Sequence, residues 1–258
     1  MRRAPLAALV PLALAATPLV AQDADATRLE LEARLWAAAL SGEVQAVESD
    51  LGTIVDLESD LGLEDDEAIE GRLILRPSGR TRVHFAWARF DIAGDELLSR
   101  TIEFGGQTFT LTTRIVSAVD LDYGRAGFAW QFLGDDAGRW RLGPLVEVKG
   151  IRGEATLEAP DIPLLGPVTE EFEAAVGAAG AALDVEPSER LRVFAEATVV
   201  VGSDEGDATD FEAGLRFSLT DAFALVGGYR SFSVEAREED DTLDVDFDGA
   251  FAGLQLRF

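Results

Sequence analysis

From Leu29 onward, apolar and polar residues alternate with period two, and turn residues separate the runs. A strand places successive side chains on opposite faces, so the pattern predicts half-buried strands. About ten are expected. The first spans Leu29 to Ala46, with Leu29, Leu31, Ala33, Leu35 and Ala37 on one face. The second spans Ala68 to Pro77, and the third begins at Thr81 beyond a Pro77-Ser78-Gly79-Arg80 turn. Asp91 to Thr113 carries Gly105-Gly106 between Thr101–Phe104 and Gln107–Thr110, which reads as a hairpin tip. The fourth strand runs on to Leu133. The fifth covers Arg139 to Leu157, the sixth Glu170 to Val185, and the seventh Arg190 to Val201. The eighth is Asp210 to Leu219, the ninth Ala222 to Ala236 and the tenth Leu243 to Phe258. The sixth also fits helical spacing through Phe172, Val176 and Leu183, but Gly177 and Gly180 disfavour a helix.

The two faces differ in chemistry. One carries Trp87, Phe128, Trp130, Phe132, Trp140, Phe211, Phe217 and Phe258 among aliphatic residues. The other carries Glu30, Glu32, Arg34, Glu70, Arg72, Arg76, Arg82, His84, Arg125, Arg141, Glu147, Arg192, Glu196, Glu212, Arg216 and Arg257, interleaved with Gly and Ala. A closed sheet with one apolar and one charged face is expected to turn the apolar face to lipid, where backbone groups must pair around a ring. Both charge signs inside predict an ion-paired lumen, filled more as a plug than as a pore. Connections after even-numbered strands are short, and those after odd-numbered strands are mostly longer and more acidic. That asymmetry suits a transmembrane barrel. The fold class is therefore all-β, a closed antiparallel transmembrane barrel of about ten strands, with eight or twelve as alternatives. A soluble secreted β-protein is the reading outside membranes.

The start of the chain has the form of an export signal. Arg2 and Arg3 precede an apolar stretch from Leu6 to Leu14, and Pro18-Leu19-Val20-Ala21 offers a cleavage site before Gln22 or Asp23. The apolar stretch is short for a membrane-spanning helix. Residues 1–22 are thus expected to be a cleaved signal, and 23–258 the barrel. The absence of Cys excludes disulfides, thiol catalysis, Cys-ligated metal and lipoprotein acylation.

Charge narrows the function further. Lys and Arg total 22 against 48 Asp and Glu, a formal net charge of −26. Nucleic-acid binding is excluded, because phosphate contacts need clustered cations. Acid peaks in Glu48–Glu67, Ser203–Asp210 and Arg237–Asp248, as expected of solvated loops. Asp56–Asp66 and Glu238–Asp246 offer carboxylates for weak Ca²⁺ binding, or for bridging lipopolysaccharide through divalent ions, but neither has EF-hand spacing. Asp120 and Asp122 lie on one strand near a long loop and read as solvated. No nucleophile elbow or phosphate-cradling Gly loop occurs. His84, the single His, follows a short turn closely and reads as a packed lumen residue. No catalytic, cofactor or metal residues are assigned.

The leader, the alternating strands and the segment Ala250–Phe258 together resemble the small outer-membrane β-barrel superfamily, such as the outer-membrane protein A and W types. Within that segment Leu254, Leu256 and Phe258 look like the signal read by the barrel-assembly machinery, with Leu256 standing where an aromatic often occurs. The resemblance implies a bacterial outer-membrane location, lipid and lipopolysaccharide as surroundings, and a monomer. It implies no activity. Three functions remain open: a non-enzymatic structural or surface barrel with acidic loops, a narrow channel for small solutes, and a lipid-modifying enzyme or protease.

Overall fold

The computed structural model describes residues 28–46, 53–63, 66–99, 101–104, 107–110, 112–135, 138–162, 166–200, 206–238 and 241–258. The signal expected at 1–22, the Gly105-Gly106 tip and parts of all three acidic stretches lie outside these residues. Every regular element described is a strand.

Ten strands form the ring: β1 (Arg28–Ala46), β2 (Asp66–Ser78), β3 (Thr81–Leu97), β4 (Arg114–Trp130), β5 (Trp140–Glu158), β6 (Val168–Ser188), β7 (Leu191–Val200), β8 (Gly206–Ser218), β9 (Phe223–Glu238) and β10 (Asp241–Arg257). Each pairs antiparallel with its neighbours in sequence, and β1 pairs with β10 to close the barrel, Glu30 opposite Arg257 and Val44 opposite Leu243. In the short-turn half the ring strands pair on both sides, which meets the requirement that backbone groups be satisfied without water; beyond it β2 registers on β3 only as far as Arg89, and β7 on β6 only as far as Ala178. The sixth strand is a strand throughout, registered on both β5 and β7. The hairpin read around residue 105 is present as Ile102–Phe104 paired with Gln107–Phe109. Thr53–Asp56 adds to the upper end of β1, beside Gly42, whose φ of +143° fits a residue without a side chain.

Tight turns join β2 to β3, β6 to β7 and β8 to β9, and with the β4–β5 connection they define one end of the barrel. At the other end lie the longer β1–β2, β3–β4 and β5–β6 connections.

Polarity inverts partway along the barrel. On β3 the half nearest the short turns points Phe85 and Trp87 outward and Arg82 and His84 inward. The other half points Arg89, Asp91 and Asp95 outward and buries Ala88, Phe90 and Ile92. β1 repeats the change on its inner face, from Glu30, Glu32 and Arg34 to Trp36, Ala38 and Leu40. The short-turn half is thus built to face hydrocarbon, with an apolar exterior flanked by Trp87, Trp130, Trp140 and Tyr229. The long-loop half has the polarity of a water-soluble barrel.

This corrects one expectation. The sequence reading puts charge inside along the whole sheet, but in the long-loop half apolar side chains meet in a dry centre. Trp36, Phe90, Phe232 and Phe247 pack there, with ring centroids 5.4 Å apart for Trp36–Phe90 and 5.2 Å for Phe90–Phe247. Val55, Leu57, Leu61 and Leu63 of the β1–β2 connection fold in to complete this core, as do Leu98, Ile102 and Phe109 of the β3–β4 connection. The physical reason is the change of solvent. Where the wall stands in water, its apolar side chains are driven inward.

Candidate functional site in the barrel lumen

Below the apolar core, inward positions from nearly every ring strand build an ion-paired layer. Glu212 on β8 lies at its centre. Its Oε1 accepts from Arg34 Nη1 at 2.8 Å and Arg72 Nη1 at 2.9 Å, and its Oε2 accepts from Arg125 Nη2. Arg72 also donates to Glu196 on β7 at 2.9 Å, and Arg34 to Glu32 and Glu70. These side chains belong to β1, β2, β4, β7 and β8, so the layer ties opposite walls together. Each was brought inward by period-two alternation alone.

Toward the apolar core, Arg230 on β9 makes a two-pronged contact with Asp210, at 3.0 and 2.8 Å, and reaches Glu70 at 3.0 Å. Its guanidinium lies 4.7 Å from the Trp36 ring centroid and 4.9 Å from that of Tyr123. Such stacking suits a delocalised cation at the border of a dry region. Tyr123 donates to Asp210 at 3.2 Å.

His84 lies within the layer, fully buried. Its Nε2 is 2.8 Å from Glu147 Oε1, while Glu147 Oε2 accepts from Thr198 at 3.2 Å and pairs with Lys149 at 2.8 Å. The ligand atoms of His84, Glu147 and Glu196 lie within 4.8 Å of one another, a spacing that could hold a metal ion. These carboxylates already neutralise Arg72, Arg82 and Lys149, however, so an added divalent ion would sit among cations. The donor set fits an ion-pair network better than a metal centre.

At the short-turn end the layer opens to water. Glu30 accepts from Arg76 at 3.1 Å and from Gln255 at 3.0 Å, and Arg216 donates to Glu32 at 2.8 Å. Gln131 donates to Asp184 at 2.9 Å. Arg141, Arg192 and Arg257 stand half-buried at the rim. Arg141 and Arg192 share Glu186, and Arg257 donates to Gln255 and Ser218.

Of the residues read as a lumen network, Glu70, Arg72, Arg76, Arg82, His84, Arg125, Glu147, Glu196, Glu212 and Arg216 are buried, and Arg141, Arg192 and Arg257 are half-buried at the rim. Asp184, Asp210, Arg230, Gln131 and Gln255 join them and were not singled out. Asp210 reads in sequence as the end of an acidic loop, and Asp184 sits on the Gly- and Ala-rich strand with ambiguous periodicity.

Other candidates lie elsewhere. Asp120 is exposed on the outer face, opposite Asp91 and Glu154, with Arg89 Nη2 at 3.3 Å. Asp122 stands beside it, opposite Arg89 and Arg152. Asp56 and Asp60 hold a turn: Ser59 N donates to Asp56 Oδ1 at 2.7 Å, and Asp56 N to Asp60 Oδ2 at 2.9 Å. Leu254 and Leu256 lie on the outer face of β10 and Phe258 directly follows it, with Leu254 and Phe258 exposed.

No family model matches the chain, and no curated protein does. Among solved structures it is similar to the outer membrane protease OmpT from Escherichia coli, at 8% identity and a TM-score of 0.56, with 93% of this chain and 99% of that one covered. The translocator domain of the autotransporter NalP from Neisseria meningitidis also matches, at 11% identity and a TM-score of 0.47, covering 92% and 90%. The outer membrane protein OprG from Pseudomonas aeruginosa matches at 7% identity and a TM-score of 0.40, covering 90% and 95%. At 8% identity the likeness to OmpT shows the fold alone, a closed antiparallel β-barrel of the kind known from bacterial outer membranes.

Proposed function

We propose that this chain is an integral outer-membrane barrel with a sealed lumen and a non-enzymatic, structural or surface role. The carrying observation is that the interior is filled twice over. Glu212 and its three arginines cross-link the walls within the membrane half, and the Trp36–Phe90–Phe247 core with the inserted β1–β2 connection closes the half beyond it. Solute passage would require breaking buried ion pairs, which costs about 3–5 kcal/mol for each partner removed.

On this reading the apolar belt holds the barrel in lipid, and the loop end stands out into the medium with its acidic loops among lipopolysaccharide headgroups. Leu254, Leu256 and Phe258 serve as the assembly signal. The chain is exported by cleavage of residues 1–22 and works as a monomer. Fractionation should recover it with outer membranes in a heat-modifiable form. Reconstitution in planar bilayers is the decisive test. The expected result is a silent membrane, and reproducible single-channel steps would overturn the sealed-lumen reading in favour of a narrow channel.

A further inference from the structure

The charged layer is unevenly satisfied. Toward the short turns Arg76, Arg82, Arg192 and Arg216 all interact with Asp184, and each also pairs with a second carboxylate: Arg76 with Glu30, Arg82 with Glu196, Arg192 with Glu186 and Arg216 with Glu32. Six of their nitrogens are buried without a hydrogen-bond partner: Arg76 Nη2, Arg82 Nε and Nη2, Arg192 Nη1, and both Nη atoms of Arg216. Arg76, Arg82 and Arg216 are more than nine-tenths buried. Buried donors are normally paired, and an unmade bond from a charged group costs more than one from a neutral group. Arg216 donates from Nε to Glu32 at 2.8 Å and rests its guanidinium 4.0 Å from the Phe194 ring centroid.

This arginine floor lies under a mouth of about 560 Å³ at the short-turn end. Arg28, Arg190, Arg192 and Arg257 line it, with Ser218 and Thr220 supplying hydroxyls. Glu30, Glu189 and Asp221 share the lining. Glu30 is already engaged by Arg76 and Gln255, with Arg192 at 3.7 Å. Arg192 belongs both to the mouth and to the floor, so the two form one continuous recess, rich in arginine although carboxylates share its walls.

We propose that this recess binds a phosphate-type oxyanion from the short-turn side of the membrane, held by Arg192 and Arg257 and stabilised from below by Arg76 and Arg216. Water would satisfy the orphaned N–H groups one at a time, whereas an oxyanion offers several charged acceptors to neighbouring guanidiniums at once. The donors come from several strands, the carboxylates beside them leave six nitrogens unmet, and guanidinium forks match phosphate geometry. The site is independent of whether the lumen conducts.

The test is unfolding of the full chain in neutral detergent across an inorganic phosphate titration, with chloride at matched ionic strength to remove screening. Phosphate should raise the unfolding midpoint saturably and broaden its own ³¹P resonance. The rim variants Arg192→Gln and Arg257→Gln should each weaken that affinity about tenfold or more, as loss of a charge-assisted bond implies. Arg89→Gln, on the outer wall, should not. A second arm compares phosphatidylcholine nanodiscs with and without phosphatidylglycerol. Protection by that lipid, lost in the same variants, assigns the oxyanion to a headgroup, and protection by free phosphate assigns it to a soluble ligand. No saturable effect in either arm, or an effect that survives both rim substitutions, overturns the proposal.

Discussion

Replacing Glu212 by Gln keeps the shape of the side chain and removes the charge that three guanidiniums share. Arg34, Arg72 and Arg125 all donate to this carboxylate, and all four residues are buried. A Gln carbonyl retains an acceptor on one side and presents an NH₂ donor toward a cation on the other. At least two charge-assisted bonds are weakened or lost, each worth about 1.5–3 kcal/mol. Arg34 and Arg72 keep other carboxylates, through Glu32 and Glu196, which limits the loss. The expected destabilisation is about 3–5 kcal/mol, the usual cost of removing one partner from a buried pair. With a urea dependence of about 2 kcal/mol per molar, the midpoint should fall by about 1.5–2.5 M. Gel mobility of unheated samples and tryptophan fluorescence in detergent micelles both report it. Asp95→Asn is the control. Its partner Arg114 is half-exposed, as is Asp95 itself, so the change should be near the 0–1 kcal/mol of surface pairs. If Glu212→Gln moved the midpoint no more than Asp95→Asn, the lumen pairs would not hold the barrel together and the argument would fail.

Phe90→Ala should remove the ring between Trp36 and Phe247 and cost about 3–5 kcal/mol in the same assay, and a loss below 1 would mean the upper centre is not a packed core. Gly127→Ala should cost about 1–3 kcal/mol by overpacking, because its methyl would sit 2.5 Å from His84 Cε1 and 2.9 Å from Glu147 Cγ; unchanged stability would show that this pair can yield. Asp120→Asn should change stability by less than about 1 kcal/mol, because relief of repulsion from Asp91 and Glu154 is offset by loss of the exposed Arg89 pair at 3.3 Å; a loss of about 3 kcal/mol or more would show that this outer-wall pair is not a weak surface contact. Arg139 hydrogen-bonds Asp135 and holds its carboxyl below the usual aspartate range, with help from the Arg139 and Trp140 amides. Its folded-state value being depressed, the contribution is present above the ordinary aspartate range and is lost as pH falls through the depressed value. The Arg139 and Trp140 amides should therefore stay protected at about pH 5 and lose protection only well below it, as read by NMR exchange, and loss already at about pH 5 would contradict the bond.

Much of the candidate site was legible because a strand reports its own facing. Arg82 and His84 alternate with Val83 and Phe85, and the pleat sends them to opposite sides whatever the rest of the chain does. Arg230 was harder, since the alternation of β9 is blurred by Gly227 and Gly228. The inverted half was hidden for a different reason. Leu35, Trp36, Ala37, Ala38, Ala39 and Leu40 are apolar on both faces, a pattern shared by any strand buried on both sides, so it does not mark the level at which the lumen turns from ionic to dry. Nothing local states that the β1–β2 connection turns back to place Val55, Leu57, Leu61 and Leu63 over that face.

The sequence by itself determined that the chain is a run of strands with consistent inner and outer faces, because period two is a property of the backbone over a few residues. The tertiary structure alone decided that the ring closes β1 on β10, that Glu212 meets arginines far from it in sequence, and that the lumen is ionic at one end and dry at the other. Those outcomes depend on strand tilt, register and the level at which the wall leaves hydrocarbon for water. They are set by closure of the whole sheet, and no single strand encodes them.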